Sequence, residues 1–359
     1  MPDVLLFGAT GYTGKLTAHA LAKRNADFVV AGRDPKKLEA LAAETKAADL
    51  RVAAVGDVPA LVRALEDVKV MITCVGPFSE LGTTALEAAL AAKVHYIDSA
   101  GEAQWIARLI RESDADARAA GIAIAPAMGF DEVPADVAAT LATEGMKEAE
   151  LVLTYAFPSH GSNGTIRTIL TNISGREGQW IQNGEPRPAK AAEEQRWAPM
   201  PPPLGPKHSV AFGFAESYLA PLHIDLASLK TFLTADRISS LAIRWGSPAL
   251  RIALSLPGSK HAIEKMFPTG GGPDAATRAK SRFTVLAEAR AGQQWRNVAV
   301  VGTDPYGLTG ETLAAAAIRM AEPGYSTSGV VAPVQAVGLD YLQKTLIDLE
   351  VSTETYTYS

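Results

Sequence analysis

The sequence predicts an α/β fold with a Rossmann-type parallel sheet in its first 149 residues. An apolar run leads into a glycine-rich turn and a helix start, and strand and helix patterns then alternate. Such alternation forms a parallel sheet with right-handed crossovers. At 359 residues the chain is too long for one ordinary domain and fits two.

The glycine-rich turn joins the first predicted strand, Val4–Phe7, to a helix predicted from about Lys15 to Arg24. Glycine lets the backbone adopt positive φ and approach a phosphate, and the first N–H groups of the helix point at that phosphate along a favourable dipole. This glycine spacing also occurs in ordinary turns, so its strand–turn–helix context carries the prediction. The predicted pyrophosphate site consists of Gly8, Thr10, Gly11, Tyr12, Thr13 and Gly14.

The second predicted strand, Phe28–Ala31, is followed by Arg33 and Lys37. In dinucleotide-binding folds this position reads the adenosine ribose, and an acidic residue there favours NAD. Basic residues suit the 2′-phosphate of NADP, so NADP is the predicted cofactor and NAD is less favoured. Alternatively, Asp34 caps the next helix and the basic residues are only solvated. Both interpretations can hold at once.

The other elements of the first part follow the same alternation. The turn after one strong strand, Val75–Phe78, comes at the carboxyl edge, where such sheets hold ligands. Predicted strands cover about 51–55, 68–75, 95–98 and 122–125, and predicted helices cover about 35–46, 58–66, 82–92, 103–119 and 134–144.

The pattern changes after about residue 150. A strand is predicted at 150–157, a helix at 165–173, a hairpin at 281–302, a helix at 309–321 and an amphipathic tail to about 350. The segment 184–207 carries seven prolines, which exclude a regular element. We interpret this segment as a surface loop, with a lid over a substrate site as the alternative. Gly270 to Gly272 lie between prolines with no strand before them, which predicts a loop.

The composition argues against several classes of protein. A net charge of -5 leaves no basic surplus for nucleic acid or an anionic membrane. A single cysteine, Cys74, excludes an intramolecular disulfide, and the six histidines lack close metal-ligand spacing, so no metal site is predicted. With no leader pattern and no apolar run near the roughly 18 residues that span a bilayer, we expect a cytoplasmic protein.

Several motifs appear together in a specific order. They are Gly8–Gly14, Val75–Phe78, His95–Asp98 with Gly101 and Glu102, Gly129–Asp131 with Pro134 and Asp136, and Asp304–Tyr306. Because these motifs occur in this order, the chain resembles the saccharopine dehydrogenase-like oxidoreductases. Within this family it resembles the trans-acting enoyl reductase branch. The resemblance implies a Rossmann domain at 1–149, an α+β substrate or dimerisation domain at 150–330, and C-terminal helices at 331–359 that pack back on the first domain.

The resemblance also implies positions for the cofactor. It places the pyrophosphate at the 8–14 turn, the 2′-phosphate at Arg33, and the nicotinamide against Val75, Gly76, Pro77, Phe78, Ser99, Gly101 and Glu102. Saccharopine-forming enzymes recognise an amino acid through paired basic groups. Arg167, Arg176 and Arg244 are the candidates here, but none lies in a matching motif.

The catalytic group is less well defined. No tyrosine is followed four positions later by lysine, so the proton donor of short-chain dehydrogenases is missing. Asp131 is our first candidate for substrate positioning or proton delivery and Asp98 the second, although either could be a turn or helix-capping carboxylate. Cys74 is interpreted as a core residue. Tyr306 either covers the pocket from the second domain or belongs to a helix-entry turn.

We therefore predict an NADP-dependent oxidoreductase that transfers hydride to an apolar, enoyl-thioester-like substrate in a mainly apolar cavity. The alternatives are a saccharopine-type amino-acid dehydrogenase and an NADP(H)-binding redox sensor without turnover. The predicted partner is a small-molecule or carrier-linked acyl substrate. A homodimer remains open.

Overall fold

The computed structural model describes residues 2–130, 132–157, 178–235 and 271–356. The chain forms two compact units. The first comprises Met1–Val133 and Tyr306–Thr345, and the second comprises Pro134–Pro305 and Leu346–Ser359. In the described residues, no helix is both long enough and apolar enough to span a membrane.

The strands are numbered in chain order over the described residues. They are β1 (Val4–Phe7), β2 (Phe28–Gly32), β3 (Asp49–Val52), β4 (Val70–Thr73), β5 (His95–Asp98), β6 (Ala123–Ala125), β7 (Ala149–Ala156), β8 (Gly178–Gln182), β9 (Glu185–Ala189), β10 (Gln195–Ala198), β11 (Lys207–Ala211), β12 (Leu226–Thr234), β13 (Arg282–Ala291), β14 (Gln294–Thr303), β15 (Gly329–Val330) and β16 (Ser352–Tyr356).

The helices are numbered in the same way. They are α1 (Tyr12–Lys23), α2 (Pro35–Thr45), α3 (Val58–Ala64), α4 (Phe78–Ala92), α5 (Ala103–Ala120), α6 (Glu132–Thr143), α7 (Glu216–Leu219), α8 (Ala275–Lys280), α9 (Pro305–Met320), α10 (Pro333–Val337) and α11 (Leu339–Asp348).

The first unit is built on a seven-stranded sheet in the order β15-β6-β5-β4-β1-β2-β3. Every pair in it is parallel. Strands β1, β2 and β4 are buried along their whole length, as expected for a sheet covered on both faces. The chain order reverses beside β1, and the crevice at such a switch point is where open α/β sheets bind ligands. The predicted Rossmann-type fold is confirmed.

The C-terminal part of the chain returns to the first unit, as the resemblance implies. Strand β15 pairs with β6, and α9 packs so closely on α1 that a Cβ at Gly310 would lie 2.9 Å from the carbonyl carbon of Leu16. The return begins at Tyr306 and ends at Thr345, whereas β16 pairs with β14 in the second unit. The compact units therefore divide the chain at other positions than the predicted 149 and 330.

The second unit contains a mixed sheet in the order β10-β11-β12-β7-β13-β14-β16, and β8 joins it by pairing with β12 and β9. Strands β12 and β7 are parallel, and β13 and β14 form a hairpin in continuous register from Arg282 to Thr303. Gly292 has φ +58 in the hairpin turn, a conformation that glycine adopts readily. The predicted hairpin is confirmed.

The proline-rich segment 184–207 was expected to hold no regular element, and this prediction was wrong. It contains β9 and β10. Pro186 and Pro188 lie in β9, which pairs only with β8 among the described strands. Proline lacks the N–H that a second neighbour would need, and an edge strand does not need it.

Several helices begin earlier than the sequence predicts. Helix α4 begins at Phe78 instead of about 82, α9 at Pro305 instead of about 309, and α1 at Tyr12 instead of about 15. Their first turns contain glycine, proline or hydroxyl residues, which are poor helix formers in a helix interior. The helix expected at 165–173 and Gly270 lie outside the described residues.

Candidate cofactor-binding site

The three glycines of the first turn differ in their backbone conformation and in the atoms that surround them. Gly8 has φ +78, and a Cβ there would lie 2.7 Å from Cγ2 of Val75. A Cβ at Gly14 would lie 2.3 Å from the carbonyl oxygen of Gly8. At Gly11 the φ is -72 and the nearest atom would be 3.3 Å away. Protein packing therefore requires glycine at positions 8 and 14, whereas at Gly11 a Cβ would meet only the carbonyl oxygen of Gly8, in a tight contact.

Within the residues that the structure describes, no side-chain hydrogen bond caps the N-terminus of α1. The next two helices of the sheet are capped, because Asp34 accepts a hydrogen bond from Lys37 N and Asp57 accepts one from Ala60 N. An anion bound at a helix N-terminus satisfies the same N–H groups as a capping side chain. A glycine at the helix start, with no capping side chain among the described residues, therefore fits a pyrophosphate.

Arg33 lies just beyond the end of β2, at the same sheet edge as the glycine turn. Its side chain is exposed and forms no ion pair within the residues that the structure describes. The Nζ of Lys37 lies 3.7 Å from Oδ2 of Asp34, which also caps α2. Asp34 thus has the capping role that the sequence allowed, and Arg33 is available for a 2′-phosphate.

Glu102 joins two of the predicted nicotinamide segments. Its Oε1 accepts a hydrogen bond from Phe78 N at 2.6 Å, and its Oε2 accepts one from Ser79 N at 2.9 Å. The side chain is buried, with 7% relative exposure. Glu102 therefore caps α4 and holds the Val75–Phe78 turn beside the turn that follows β5.

Asp98 connects three parts of the same edge. Its carboxylate accepts hydrogen bonds from Ala100 N, Ala127 N, the Tyr96 hydroxyl and Trp105 Nε1, at 2.7 to 3.0 Å. It has no exposed surface, and burial raises the pKa of the carboxyl group against these hydrogen bonds. All these contacts are internal, so the geometry favours a positioning role for Asp98 over the proposed catalytic one.

Cys74 lies where β4 ends. Its Sγ is 3.9 Å from Oγ1 of Thr17 on α1. Although the residue is partly exposed, desolvation by the surrounding protein raises the pKa of the thiol to about 12. A thiol that stays protonated is a poor nucleophile, so a packing role fits Cys74.

Helix α9 supports the edge from the far end of the chain. Thr309 Oγ1 accepts a hydrogen bond from Phe130 N at 3.0 Å, and Thr312 Oγ1 donates to Met128 O at 2.8 Å. A Cβ at Gly129 would lie 3.5 Å from Thr309 and 3.6 Å from Ser99. The loop after β6 is thereby brought to the loop after β5.

Tyr306 was predicted either to cover the pocket from the second domain or to form a helix entry. The structure places Tyr306 in the first unit, at the second residue of α9. Its ring meets Tyr12 edge to face, with centroids 5.6 Å apart. The helix-entry interpretation is confirmed. This contact and the two threonines of α9 were not predicted, because their partners lie about 180 to 290 residues away in the chain and carry no local signal.

Four predicted residues cannot be located. Asp131, Arg167, Arg176 and Arg244 lie outside the described residues. The structure therefore brings together the cofactor residues of the sheet edge, and the proposed proton donor and amino-acid-binding arginines stay predictions.

Comparison with known families identifies the first unit. Residues 4–125 match the family model described as the saccharopine dehydrogenase NADP binding domain. The matched segment spans all six strands from β1 to β6 and includes the glycine turn and Arg33. Residues 4–125 are therefore similar to a saccharopine dehydrogenase-type NADP-binding domain, which supports the predicted resemblance and agrees with NADP as the cofactor.

Curated relatives match about half of the chain. A putative trans-acting enoyl reductase of Mycobacterium tuberculosis is 31% identical over 186 residues, 48% of this chain and 44% of that protein. A lipid droplet localized protein of Caenorhabditis elegans is 27% identical over 192 residues, 48% of this chain and 45% of that protein. The matches thus span less than half the length of either relative.

A solved structure shows the same fold. Apo saccharopine dehydrogenase (L-Glu forming) from Saccharomyces cerevisiae is similar with a TM-score of 0.62, over 99% of this chain and 100% of that one. The sequence identity is 14%, so this likeness concerns the fold alone.

Proposed function

We propose that this protein is an NADP-dependent oxidoreductase that delivers hydride to an apolar, enoyl-thioester-like double bond. The observation that carries the proposal is the uncapped start of α1 behind Gly11, inside the matched NADP-binding domain. The name of the mycobacterial relative supports the acyl substrate.

The residues of the first unit divide the binding of the cofactor. The glycine turn and the first turn of α1 hold the pyrophosphate, and Arg33 binds the 2′-phosphate as a planar cation. Val75–Phe78 and the Ser99–Gly101 turn flank the nicotinamide, in positions that Glu102 and Asp98 fix through hydrogen bonds. Bound NADPH supplies a hydride, and the protein orients it.

The proton that completes the reduction needs a separate donor. Glu102 and Asp98 are engaged in the hydrogen bonds that hold the turns. Of the predicted carboxylates, Asp131 therefore remains our proposed donor. It follows the Gly129 loop that Thr309 holds against Ser99.

An apolar substrate suits the side chains at this edge. Val75 and Pro77 are half-buried apolar residues at this edge. A double bond conjugated to a thioester carbonyl accepts hydride without an ionised substrate group. A carrier-linked acyl chain and a coenzyme A thioester share this chemistry.

The test is single-turnover oxidation of NADPH, followed by absorbance, with enoyl-thioesters of increasing chain length. We expect oxidation that improves with chain length, and Asp131→Asn should slow the hydride step without changing the Kd of NADPH. Glu132→Gln is the control, because it changes the neighbouring carboxylate. Equal rates in Asp131→Asn and the wild type would reject the role of Asp131.

Two other outcomes would change the assignment. Oxidation with an amino acid plus an aldehyde, and none with thioesters, would assign the protein to the amine-forming reaction. Tight NADPH binding without oxidation by either substrate class would favour the redox sensor.

A further inference from the structure

A second cavity lies in the first unit, at the opposite edge of the sheet from the glycine turn. It has a volume of about 480 Å³. Its walls come from the chain entering β4, the chain entering β5, and the loop after α9, Met320–Tyr325. Parallel strands begin at one edge and end at the other, so this cavity at the strand starts is separate from the cofactor site at the strand ends.

The polar wall of the cavity offers one cation and one neutral donor. Lys93 is exposed and forms no ion pair in the described part of the chain. His95 accepts a hydrogen bond at Nδ1 from Ala123 N, at 3.0 Å. Burial lowers the pKa of His95, so the ring is neutral and carries its proton on Nε2. A carboxylate could bind both the ammonium and the Nε2–H.

The other charges around the cavity are already paired. Lys69 Nζ lies 2.8 Å from Oδ1 of Asp3 and donates to Ala321 O. Glu322 is paired with Arg319. The cavity therefore has one uncompensated positive charge among the described residues, which suits a ligand with a single negative charge.

The remaining wall is apolar. Val68, Met320 and Pro323 line it together with the ring of Tyr325. Tyr325 is held in place, because its hydroxyl donates to Ala336 O at 2.9 Å and its ring packs edge to face on His95 at 4.9 Å. A compact apolar group would pack here while its carboxylate faces Lys93.

Helix α9 connects this cavity to the cofactor edge. Met320 at its C-terminal end lines the cavity, and Tyr306 and Thr309 at its N-terminal end contact Tyr12 and Phe130. The helix is about 24 Å long at 1.5 Å per residue. A ligand that shifts the end of α9 would therefore act on residues beside the glycine turn.

We propose that this cavity is an effector site for a small monocarboxylate with a compact apolar body, and that α9 couples it to the cofactor site. The proposal requires that NADPH binds the first unit and is independent of the acyl substrate. Linkage requires that the monocarboxylate and NADPH change each other's affinity by the same factor.

Isothermal titration of the full chain with benzoate tests the binding site, with the neutral benzamide as a probe of the same size. We expect benzoate to bind about tenfold more tightly than benzamide, and Lys93→Ala to remove this preference. Lys46→Ala is the matched control. Lys46 ends α2 in the same left-handed conformation as Lys93 ends α4, but it lies outside the cavity lining.

NADPH titrations with and without saturating benzoate test the coupling. We expect the Kd of NADPH to change about fivefold in the wild type and in Lys46→Ala, and to stay constant in Lys93→Ala. Three results would overturn the proposal: no benzoate binding, equal binding by Lys93→Ala and Lys46→Ala, or an NADPH affinity that benzoate leaves unchanged. A protein that binds benzoate but not NADPH would instead contradict the proposed function.

Discussion

Helices α1 and α4 start at the same edge of the first sheet, behind the neighbouring strands β1 and β4, and their first turns meet different partners. The first N–H groups of α4 are bound by the buried carboxylate of Glu102. Helix α1 begins after Gly11, and no side-chain hydrogen bond of the described residues caps it. A carboxylate of the protein thus neutralises the start of α4, whereas the start of α1 suits an external anion.

This difference is the reason why we propose phosphate binding at only one of the two adjacent helices. Both starts have the same partial positive charge. At α4 the carboxylate of Glu102 already compensates this partial charge, and its negative charge would repel a pyrophosphate. Substitutions at the two helix starts should distinguish them by experiment.

The largest effect is expected from Gly14→Ala. The added Cβ would lie 2.3 Å from the backbone oxygen of Gly8, and a backbone atom cannot move aside cheaply. We expect a loss of about 3 kcal/mol in the free energy of unfolding. Urea denaturation measures this loss. An unchanged unfolding midpoint would show that the turn is looser than the structure describes.

Gly11→Val should separate cofactor binding from stability. The backbone at Gly11 suits any residue, and the nearest atom would be 3.3 Å from the Cβ, so we expect a stability loss of only about 1 kcal/mol. The side chain would occupy the space of the phosphate, which should weaken NADPH binding about a hundredfold. Fluorescence titration with NADPH measures this, and wild-type affinity would place the pyrophosphate elsewhere.

Glu102→Ala tests the capped N-terminus of α4. It removes the acceptor of two buried N–H groups, so we expect a loss of about 2 kcal/mol in the free energy of unfolding. Glu102→Gln keeps one acceptor and should lose about half as much. If Glu102 contacted the cofactor directly, Gln would weaken NADPH binding while leaving stability intact.

Arg33→Ala should remove the preference for NADP. We expect NADPH to bind about tenfold more weakly, and NADH to bind as before, because NADH has no 2′-phosphate. Lys36→Ala is the control, since it removes a nearby exposed cation. Equal NADPH affinity in Arg33→Ala and Lys36→Ala would contradict a specific role for Arg33.

The smallest effect concerns a buried carboxylate of the second unit that binds a histidine. Asp136 Oδ1 lies 2.7 Å from Nε2 of His223 and raises the pKa of His223 above its ordinary value, against the opposing effect of burial. The histidine therefore binds its proton more tightly in the folded protein. Its contribution to stability should be complete below about pH 6.5 and decline as pH rises through the raised pKa. Unfolding midpoints from pH 5 to 9 should show this slope in the wild type and lose it in His223→Gln.

The sequence was a better guide to the first unit than to the second. Alternating apolar runs and turn residues are local signals, and a parallel sheet with right-handed crossovers follows from them. Strand β9 was missed because proline is excluded only from strands with two neighbours, and the neighbours of a strand are set by the whole sheet. Strand β10 contains no proline and was missed because it lies between proline-rich stretches. The hairpin of β13 and β14 was predicted because its turn is local.

The sequence by itself determined the glycine turn and the position of Arg33, because each depends on residues within one short segment. Only the tertiary structure decided the order of the strands in the sheet, that Glu102 caps α4, that Asp98 joins the loops after β5 and β6, and that α9 contacts Tyr12 and Phe130. These roles depend on residues far apart in the chain. In the sequence, a carboxylate at a strand end looks the same whether it binds a cofactor or a backbone N–H group. Only the fold determines which partner it binds.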